Sequence, residues 1–450
     1  MHTSTAAARH DLRNHSPSSH ANCSHPPASH SAMRAALHAL AAKRDVWTTR
    51  LTHGTAIAVS AAHVNGEIPA ASRLAHPVID HRYYDVIHGT LQNQFHLNYL
   101  ILRDANHDFR GIHPFFLLQQ DILAGTPGRI ANFTRRVRRA FPRFLTLKTL
   151  MVGNPAGPAA LGLRLENAGP DDATWTARAL TESLIAYGRQ HKVSLLVLKD
   201  FPAADRHSLH ALTNAHHGFA RLPSMPMTSL HIAPYKSFED YMQRGLSKVT
   251  RKGIRRKLRE AEAQPLDFTV TNDISGCLQE VYQLYLNVHA KAKLTFEKLT
   301  PEFLLELGRR MPDRARFFLW RIKNADGTKG RLVAASITLV NTADNGTEKA
   351  LYDLYLGMEY PLALDLHLYM VTMRDVIDWS LEHGVETYYS TPLSYDTKLH
   401  LKHTLVPQDL YVRHLSNFLN PAVKLGMRFA EPTRHDKILP QFPNAHQLKD

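Results

Sequence analysis

The sequence predicts an α/β (α+β) protein built from two similar units, each a mixed, mostly antiparallel sheet flanked by helices. Two segments 192 positions apart, 180–197 and 372–389, share the order of an amphipathic helix, a His-X-Val turn and a short apolar strand. Apolar strands joined by polar turns precede both segments. Because the same order recurs, we interpret the chain as an internal duplication of one layered unit.

The first half begins with a segment that lacks hydrophobic periodicity. Residues 1–45 are rich in His, Ser, Ala and Pro, which favours a disordered leader, with a metal-binding His tract as the alternative. We expect order from about Val78. The elements predicted for this half are strands at 96–102 and 111–118, a helix at 171–190, an apolar strand at 193–198, a helix at 204–217 and a strand at 228–232.

The second half has a clearer strand pattern. Three strands at 316–322, 332–340 and 349–356 are joined by Asp326-Gly327 and Asn345-Gly346, both strong turn signals. The middle strand is apolar on both faces, so we expect it to lie centrally. A long helix over 363–383 ends at Gly384, and a strand follows at 385–390.

A dense run of cations precedes these strands. Ser237 is a suitable N-cap for a first helix, and a second helix is predicted from about Leu246. The cations of the second helix are Lys248, Arg251, Lys252, Arg255, Arg256, Lys257 and Arg259. Like charges this close repel, so the helix needs either solvent or an anionic partner such as phosphate, nucleic acid, anionic lipid or acidic glycan.

Composition limits the remaining possibilities. The net charge is +14 and the sequence pI about 9.7, which favours an anionic partner. Two cysteines, Cys23 and Cys277, cannot build a disulfide framework or a cysteine-based zinc site, and we expect no metal site. The sequence has no apolar run of about 18 residues and no secretory signal, so we expect no transmembrane segment and a cytoplasmic location.

Three segments resemble the GNAT acyltransferases, and their tandem arrangement resembles the FemAB-like group with its BioF2-like acetyltransferase domain. The first segment is the Arg-rich helix within 241–260. The second is RLVAASITLV (331–340) followed by ALYDLYLGMEY (350–360), and the third is the Tyr-X-X-Lys element that ends at Lys398. The resemblance implies tandem GNAT-like domains. We place the leader at 1–45, the first domain at 78–235, the second at 236–415 and a C-terminal tail at 416–450.

The resemblance also implies the chemistry. Such proteins move an acyl group from acyl-CoA, used as co-substrate, to an amine, here on an amino sugar, a peptide or a cell-envelope precursor. In a GNAT fold, two neighbouring parallel strands separate and the pantetheine arm lies between them. Two alternatives stay open: a FemAB-type ligase that uses aminoacyl-tRNA, and a non-enzymatic basic module that binds nucleic acid or an anionic membrane.

Candidate catalytic residues lie on the third strand of the second half. Asp353 and Tyr355 are two positions apart, so regular pleating puts both on one face of the strand. An acid in an otherwise apolar strand is unusual, and Asp353 is suited to accept the proton of the attacking amine. Tyr355 is suited to donate to the departing thiolate. The alternative is a carboxylate of an edge strand that faces water.

Candidate binding residues are basic. Arg251, Arg255 and Arg256 are the candidates for an anionic ligand, because guanidinium groups match phosphate oxygens. Lys398 is a candidate to hold a phosphate or an acidic acceptor, and His289 is a candidate to line the acceptor cleft. For each of these residues a purely structural or surface role is the alternative.

Overall fold

Two β-sheets organise the structure, a computed structural model that describes residues 46–64, 76–121, 136, 146–157, 170–213, 218–292, 296–343 and 348–449. The strands are β1 (Trp47–Leu51), β2 (Gly54–Ser60), β3 (His96–Asp104), β4 (Phe109–Asp121), β5 (Thr146–Val152), β6 (Leu195–Pro202), β7 (Ala220–Pro223), β8 (Met227–His231), β9 (Leu266–Thr271), β10 (Ala315–Lys323), β11 (Lys329–Asn341), β12 (Ala350–Met358), β13 (Thr387–Ser390), β14 (Thr404–Val406) and β15 (Gln408–His414).

Helices cover both sheets. They are α1 (His81–Thr90), α2 (Pro170–Gln190), α3 (Arg206–Leu209), α4 (Phe238–Gly245), α5 (Lys248–Ala261), α6 (Leu278–His289), α7 (Pro301–Arg310), α8 (Leu362–Asp365), α9 (Leu368–Glu382), α10 (Tyr395–His400) and α11 (Asn420–Ala430). Side-chain caps fix several starts: Ser237 accepts from Asp240 N and Ser247 accepts from Thr250 N. Within the described ranges, no helix is both long and apolar enough to cross a membrane.

Each sheet combines antiparallel pairs with a parallel pair. The first sheet has the order β1-β2-β3-β4-β5-β6-β15-β7, and the second has the order β14-β8-β13-β12-β11-β10-β9. The parallel pairs are β5 with β6 and β12 with β13, and each extends over four residues. Helix α2 connects the first pair and helix α9 the second, as the internal duplication predicts. The expected fold class, tandem mixed and mostly antiparallel sheets flanked by helices, is confirmed.

The two sheets exchange strands. β7 belongs to the first sheet, and β8, which begins four residues after β7 ends, lies between β13 and β14 of the second. The chain crosses back between the next two consecutive strands near its end: β14 belongs to the second sheet, and β15 lies between β6 and β7 of the first. The predicted domains at 78–235 and 236–415 therefore each supply a strand to the sheet of the other.

A shared apolar core joins the two halves. Side chains of the first half, such as Tyr83 and Phe116, belong to the same buried cluster as Phe303 and Leu307 of α7. The Tyr83 and Phe303 rings meet edge to face with centroids 6.0 Å apart. This packing holds the connection between α6 and α7 against the first half, where Gln94 bonds both Lys298 N and Lys298 O.

Order begins earlier than the sequence predicts. The hairpin β1–β2 precedes Val78, and its turn ends at Gly54, where φ is +151° and a Cβ atom would lie 2.0 Å from Arg103 O. The sequence around this turn has no two-residue turn signal, so the hairpin was missed. The leader at 1–45 and the Asn345-Gly346 turn lie outside the described residues. The predicted tail at 416–450 contains α11, and Leu439 and Phe442 pack on Tyr395.

Candidate active site

A fork opens where β12 and β13 separate. The two strands pair in parallel from Ala350–Thr387 to Asp353–Ser390, where β13 ends. β12 continues to Met358, still paired with β11 on its other side. Thr391 Oγ1 donates to Leu354 O at 3.4 Å across the base of the fork. Beyond this point the β13 side of β12 has no strand partner in the described part of the chain. We call this unpaired side of residues 354–358 the open edge.

A β-bulge lies at the same point. Tyr355 pairs with Ile337 and Asp353 pairs with Thr338, so Leu354 is an extra residue in β12. The bulge reverses the alternation of side chains. Tyr355 packs on the α6 side of the sheet, whereas Asp353 bonds Tyr388 in the cluster on the α9 side. The expectation that Asp353 and Tyr355 share a face is therefore wrong.

Asp353 lies in a polar cluster beneath the fork. Its carboxylate accepts from Ser336 Oγ at 2.5 Å and from Tyr388 OH at 2.7 Å. Burial raises the pKa of Asp353, and these two hydrogen bonds and the nearby Lys398 oppose the rise. Asp353 is partly buried, and the edge-strand alternative is wrong because β12 lies between β11 and β13.

Lys398 belongs to the same buried cluster. Its side chain is directed inward from α10, the residue is 2% exposed, and its Nζ donates to Thr391 O at 2.5 Å. Burial lowers the pKa of Lys398 to about 8, against the opposing effect of Asp353. The ammonium group therefore lies next to Thr391, the first residue after β13, and it is buried, which excludes the surface role.

Tyr355 faces the junction between the two halves. Its OH donates to Glu297 Oε1 at 2.7 Å, and its ring meets Tyr285 of α6 edge to face at 5.9 Å. Tyr285 OH accepts from Leu299 N at 3.0 Å, which fixes the segment that carries Glu297. Burial and the Glu297 charge both raise the pKa of Tyr355, so the phenol stays protonated and donates.

Glu297 was missed by the sequence analysis. It lies in the connection between α6 and α7, where no periodicity marks a functional side chain. The signal that was available is weak: an isolated acid three residues before Thr300, the N-cap of α7. Glu297 approaches β12 because Phe296 stacks on Phe95 at 5.5 Å and holds this connection against the first half.

His289 lies at the far end of the open edge. It ends α6, and its ring is tilted against Tyr285 with centroids 5.6 Å apart. The His289 Nε2 atom is buried and has no hydrogen-bond partner among the described residues. Nearby, Asn287 Nδ2 donates to Met358 O at 3.1 Å, so this turn of α6 contacts the last residue of β12.

The three predicted anion-binding arginines make contacts within the protein. Arg251 donates to Gln243 O at 2.9 Å and to Leu246 O at 2.7 Å, at the end of α4. Arg255 forms an ion pair with Glu239. Arg256 pairs with Glu260 at 2.7 Å. All three lie on α5, and their side chains bond to α4, to α5 itself and to the turn between these helices, away from the fork.

A cavity of about 360 Å³ lies elsewhere on the second sheet. It opens beside β8 and β14, and its lining residues include Ser229, His231, Tyr235, Glu348, Lys402 and Thr404. It contains neither Asp353 nor Tyr355, so it is separate from the fork. Among the described residues, no group of three or more His, Cys, Asp or Glu side chains is arranged to hold a metal ion.

Comparisons with known proteins agree with this geometry. Residues 248–398 match the model of the acetyltransferase (GNAT) domain, and this range includes β12, β13 and Lys398. No curated protein sequence matches the chain significantly. FemX has a similar structure, with a TM-score of 0.51, 10% identity, and coverage of 80% of this chain and 99% of FemX.

Two further solved structures overlap less well. L-PGS from Bacillus licheniformis has a TM-score of 0.44 and 11% identity, covering 80% of this chain and 98% of that one. Saccharomyces cerevisiae N-myristoyltransferase with bound myristoyl-CoA has a TM-score of 0.39 and 8% identity, covering 82% and 80%. The fold is therefore the one found in FemX, and the matched domain contains the fork. Residues 248–398 therefore match a GNAT-type acetyltransferase domain, and the chain shares its fold with FemX.

Proposed function

We propose that this protein transfers an acyl group from a CoA thioester to a primary amine, and that the thioester arm occupies the fork between β12 and β13. The observation that supports this most strongly is the separation of the two strands at Asp353 and Ser390, beside the bulge at Leu354. An extended pantetheine arm is suited to an open strand edge, because it carries amide groups that pair with backbone donors and acceptors.

The bulge supplies the electrostatic part of the reaction. In this proposal, a backbone N–H group at the bulge around Leu354 donates a hydrogen bond to the thioester carbonyl oxygen. Charge develops on this oxygen when the amine attacks, and a fixed donor stabilises that charge. Asp353 was predicted as the catalytic base and Lys398 as a substrate-binding residue. In this proposal both instead position the strand ends, because Asp353 is bonded to Ser336 and Tyr388 and lies close to Lys398 below the fork.

The acceptor amine approaches from the α6 side. The α9 side of the fork is filled by the buried cluster around Asp353, whereas the α6 side carries the half-buried Glu297. Glu297 takes the proton of the amine, and Tyr355 orients the carboxylate. The amine nitrogen bonds to the carbonyl carbon, the carbon–sulfur bond breaks, and the CoA thiolate leaves and is protonated by water.

The acceptor class remains an amine on an amino sugar, a peptide or a cell-envelope precursor. Glu297 lies at the junction of the halves: its charge acts on Tyr83, and the adjacent Phe296 stacks on Phe95 of the first half. An acceptor that enters here contacts both halves, so the first half contributes to acceptor selection. His289, at the other end of the open edge, is suited to contact the donor rather than the acceptor.

Calorimetry with CoA and with short-chain and long-chain acyl-CoA tests the proposal. We expect wild-type protein to bind at least one thioester, and Thr391→Trp, which fills the base of the fork, to lose that binding. Val249→Trp, on the exposed surface of α5, is the matched control and keeps it. Circular dichroism checks that Thr391→Trp is folded. Absence of binding for every thioester, together with steeply salt-dependent tRNA binding, would favour aminoacyl-tRNA as the donor instead.

A further inference from the structure

Helix α11 carries apolar side chains on two opposite faces. Val423 and Met427 pack against the shared core of the protein. On the other face, Phe418 is 89% exposed, Leu425 57% and Phe429 66%. Three large apolar side chains in a row are unusual on a protein surface, and such a patch marks a contact with an apolar partner.

Hydrogen bonds of Asn420 fix the start of this exposed apolar stripe, which consists of Phe418, Leu425 and Phe429. Asn420 Nδ2 donates to Gly218 O at 2.8 Å, and its Oδ1 accepts from His414 N at 2.9 Å. The helical backbone already begins before α11, because Asn420 N donates to Ser416 O at 3.0 Å. Phe418 therefore lies in line with Leu425, about two helical turns further on, and with Phe429, about three turns further on. These hydrogen bonds fix the helix in an orientation in which the three apolar side chains of the stripe are exposed.

Cationic groups border the stripe. The Arg434 guanidinium lies over the Phe429 ring, 5.6 Å from its centroid. Lys424 lies on the same helix, between the stripe and the buried face. The whole chain has a net charge of +14. A helix with exposed Phe and Leu on one side and cations beside them has the composition of an element that lies in the interface of an anionic bilayer.

We propose that α11 docks this protein on an anionic membrane surface, with Phe418, Leu425 and Phe429 inserted at the level of the lipid headgroups. The proposal does not depend on the acyl-transfer reaction. A second copy of the chain is a less suitable partner for this surface. A stable dimer buries about 800 Å² per partner, which is more than the three side chains of the stripe expose. Burial of apolar area and attraction of the cations to anionic lipid act together.

Vesicle sedimentation tests the proposal with the full-length protein. One set of vesicles contains phosphatidylcholine alone, and the other contains equal parts of phosphatidylcholine and phosphatidylglycerol. We expect the wild type to bind the second set and bind less as salt is added. Phe418→Ser/Phe429→Ser is expected to lower the vesicle partition coefficient by about tenfold or more, because two phenylalanines no longer enter the interface.

Val249→Ser is the matched control, because Val249 is 82% exposed on the basic helix α5 and lies outside the stripe. It should leave binding unchanged. Failure of the wild type to bind anionic vesicles overturns the proposal. So does binding that survives Phe418→Ser/Phe429→Ser. Light scattering that detects a wild-type dimer, absent in the double variant, overturns it in favour of self-association.

Discussion

At the scale of single residues, the contact between Tyr355 and Glu297 gives the second sheet a carboxylate beside its bulge. A phenol OH at 2.7 Å orients this carboxylate, and Glu297 is only half-buried, so a substrate amine is able to reach it. Sequence reasoning singled out Tyr355 but not Glu297, because a strand periodicity marks Tyr355 while nothing local marks a loop acid.

Glu297→Gln should lower kcat by about 100-fold or more, since a positioned general base contributes roughly 10² to 10⁴ in rate. KM for the thioester should change little, because in the proposed arrangement the donor lies in the fork, away from the Glu297 carboxylate. Steady-state kinetics with release of free CoA thiol measures both constants. Glu302→Gln, at an exposed acid in the first turn of α7, is the matched control and should keep most of the activity. Wild-type kcat in Glu297→Gln would exclude this residue as the base.

Lys398 links the stability of the protein to pH. Its pKa is lowered from an ordinary value of 10.5 to about 8 by burial. Between these two values the unfolded state binds the proton and the folded state does not. The free energy of unfolding therefore rises with pH across this window, by at most about 1.4 kcal/mol per pH unit.

Denaturant unfolding between pH 8 and 10 checks this effect. Lys398→Met should reduce the upward slope of the unfolding free energy with pH, whereas Lys252→Met, on the exposed face of α5, should leave it unchanged. Equal slopes in the wild type and in Lys398→Met would mean that Lys398 titrates in the folded protein as it does in the unfolded chain.

At the scale of elements, the site depends on how closely α6 crosses β12. A Cβ atom added at Gly357 would lie 2.7 Å from Tyr285 N and 2.8 Å from the Leu284 carbonyl carbon. Such contacts force the helix away from the strand. Because Tyr285 also fixes the segment of Glu297, a shift of α6 disturbs the candidate base as well as the packing.

Gly357→Ala should lower the free energy of unfolding by about 1–3 kcal/mol, the usual cost of overpacking. Gly253→Ala is the matched control: it lies in α5 with open space around it, and alanine should stabilise the helix by about 0.5–1 kcal/mol. Chemical denaturation of both variants gives the comparison. Equal stabilisation by the two substitutions would show that α6 does not press on β12.

Element types were largely predictable, and the bulge was not. The cation run that begins after Leu246 predicted α5, and the Asp326-Gly327 signal predicted the β10–β11 turn, where Gly327 has φ of +82°. Leu354 is one more apolar residue in an apolar strand, so no local pattern distinguishes a bulged residue from a paired one. The regular period of two predicted that Asp353 and Tyr355 share a face, and this single extra residue is the reason that they do not.

At the scale of the whole molecule, the exchange of β8 and β15 makes the two halves interdependent. Each exchanged strand lies inside the sheet of the other half, so neither sheet is complete without both halves of the chain. Periodicity predicts that a segment is a strand, but it does not say which sheet that strand joins. The sequence therefore predicted two units and could not predict the exchange.

We expect the two halves to unfold in one transition. Trp47 and Trp175 lie in the first half, whereas Trp320 and Trp379 lie in the second. In Trp47→Phe/Trp175→Phe, fluorescence reports the second half and far-ultraviolet circular dichroism reports the whole chain. The two probes should give the same denaturant midpoint. Separate midpoints would mean that the exchanged strands do not couple the sheets.

The central claim is that the donor thioester lies along the open edge of β12. Hydrogen–deuterium exchange with and without a saturating acyl-CoA tests it most directly. The account predicts slower exchange in the amides of 354–358 on binding, with no change in β5, the equivalent strand of the first half. Protection that appears in β5 while 354–358 exchange as before would contradict it.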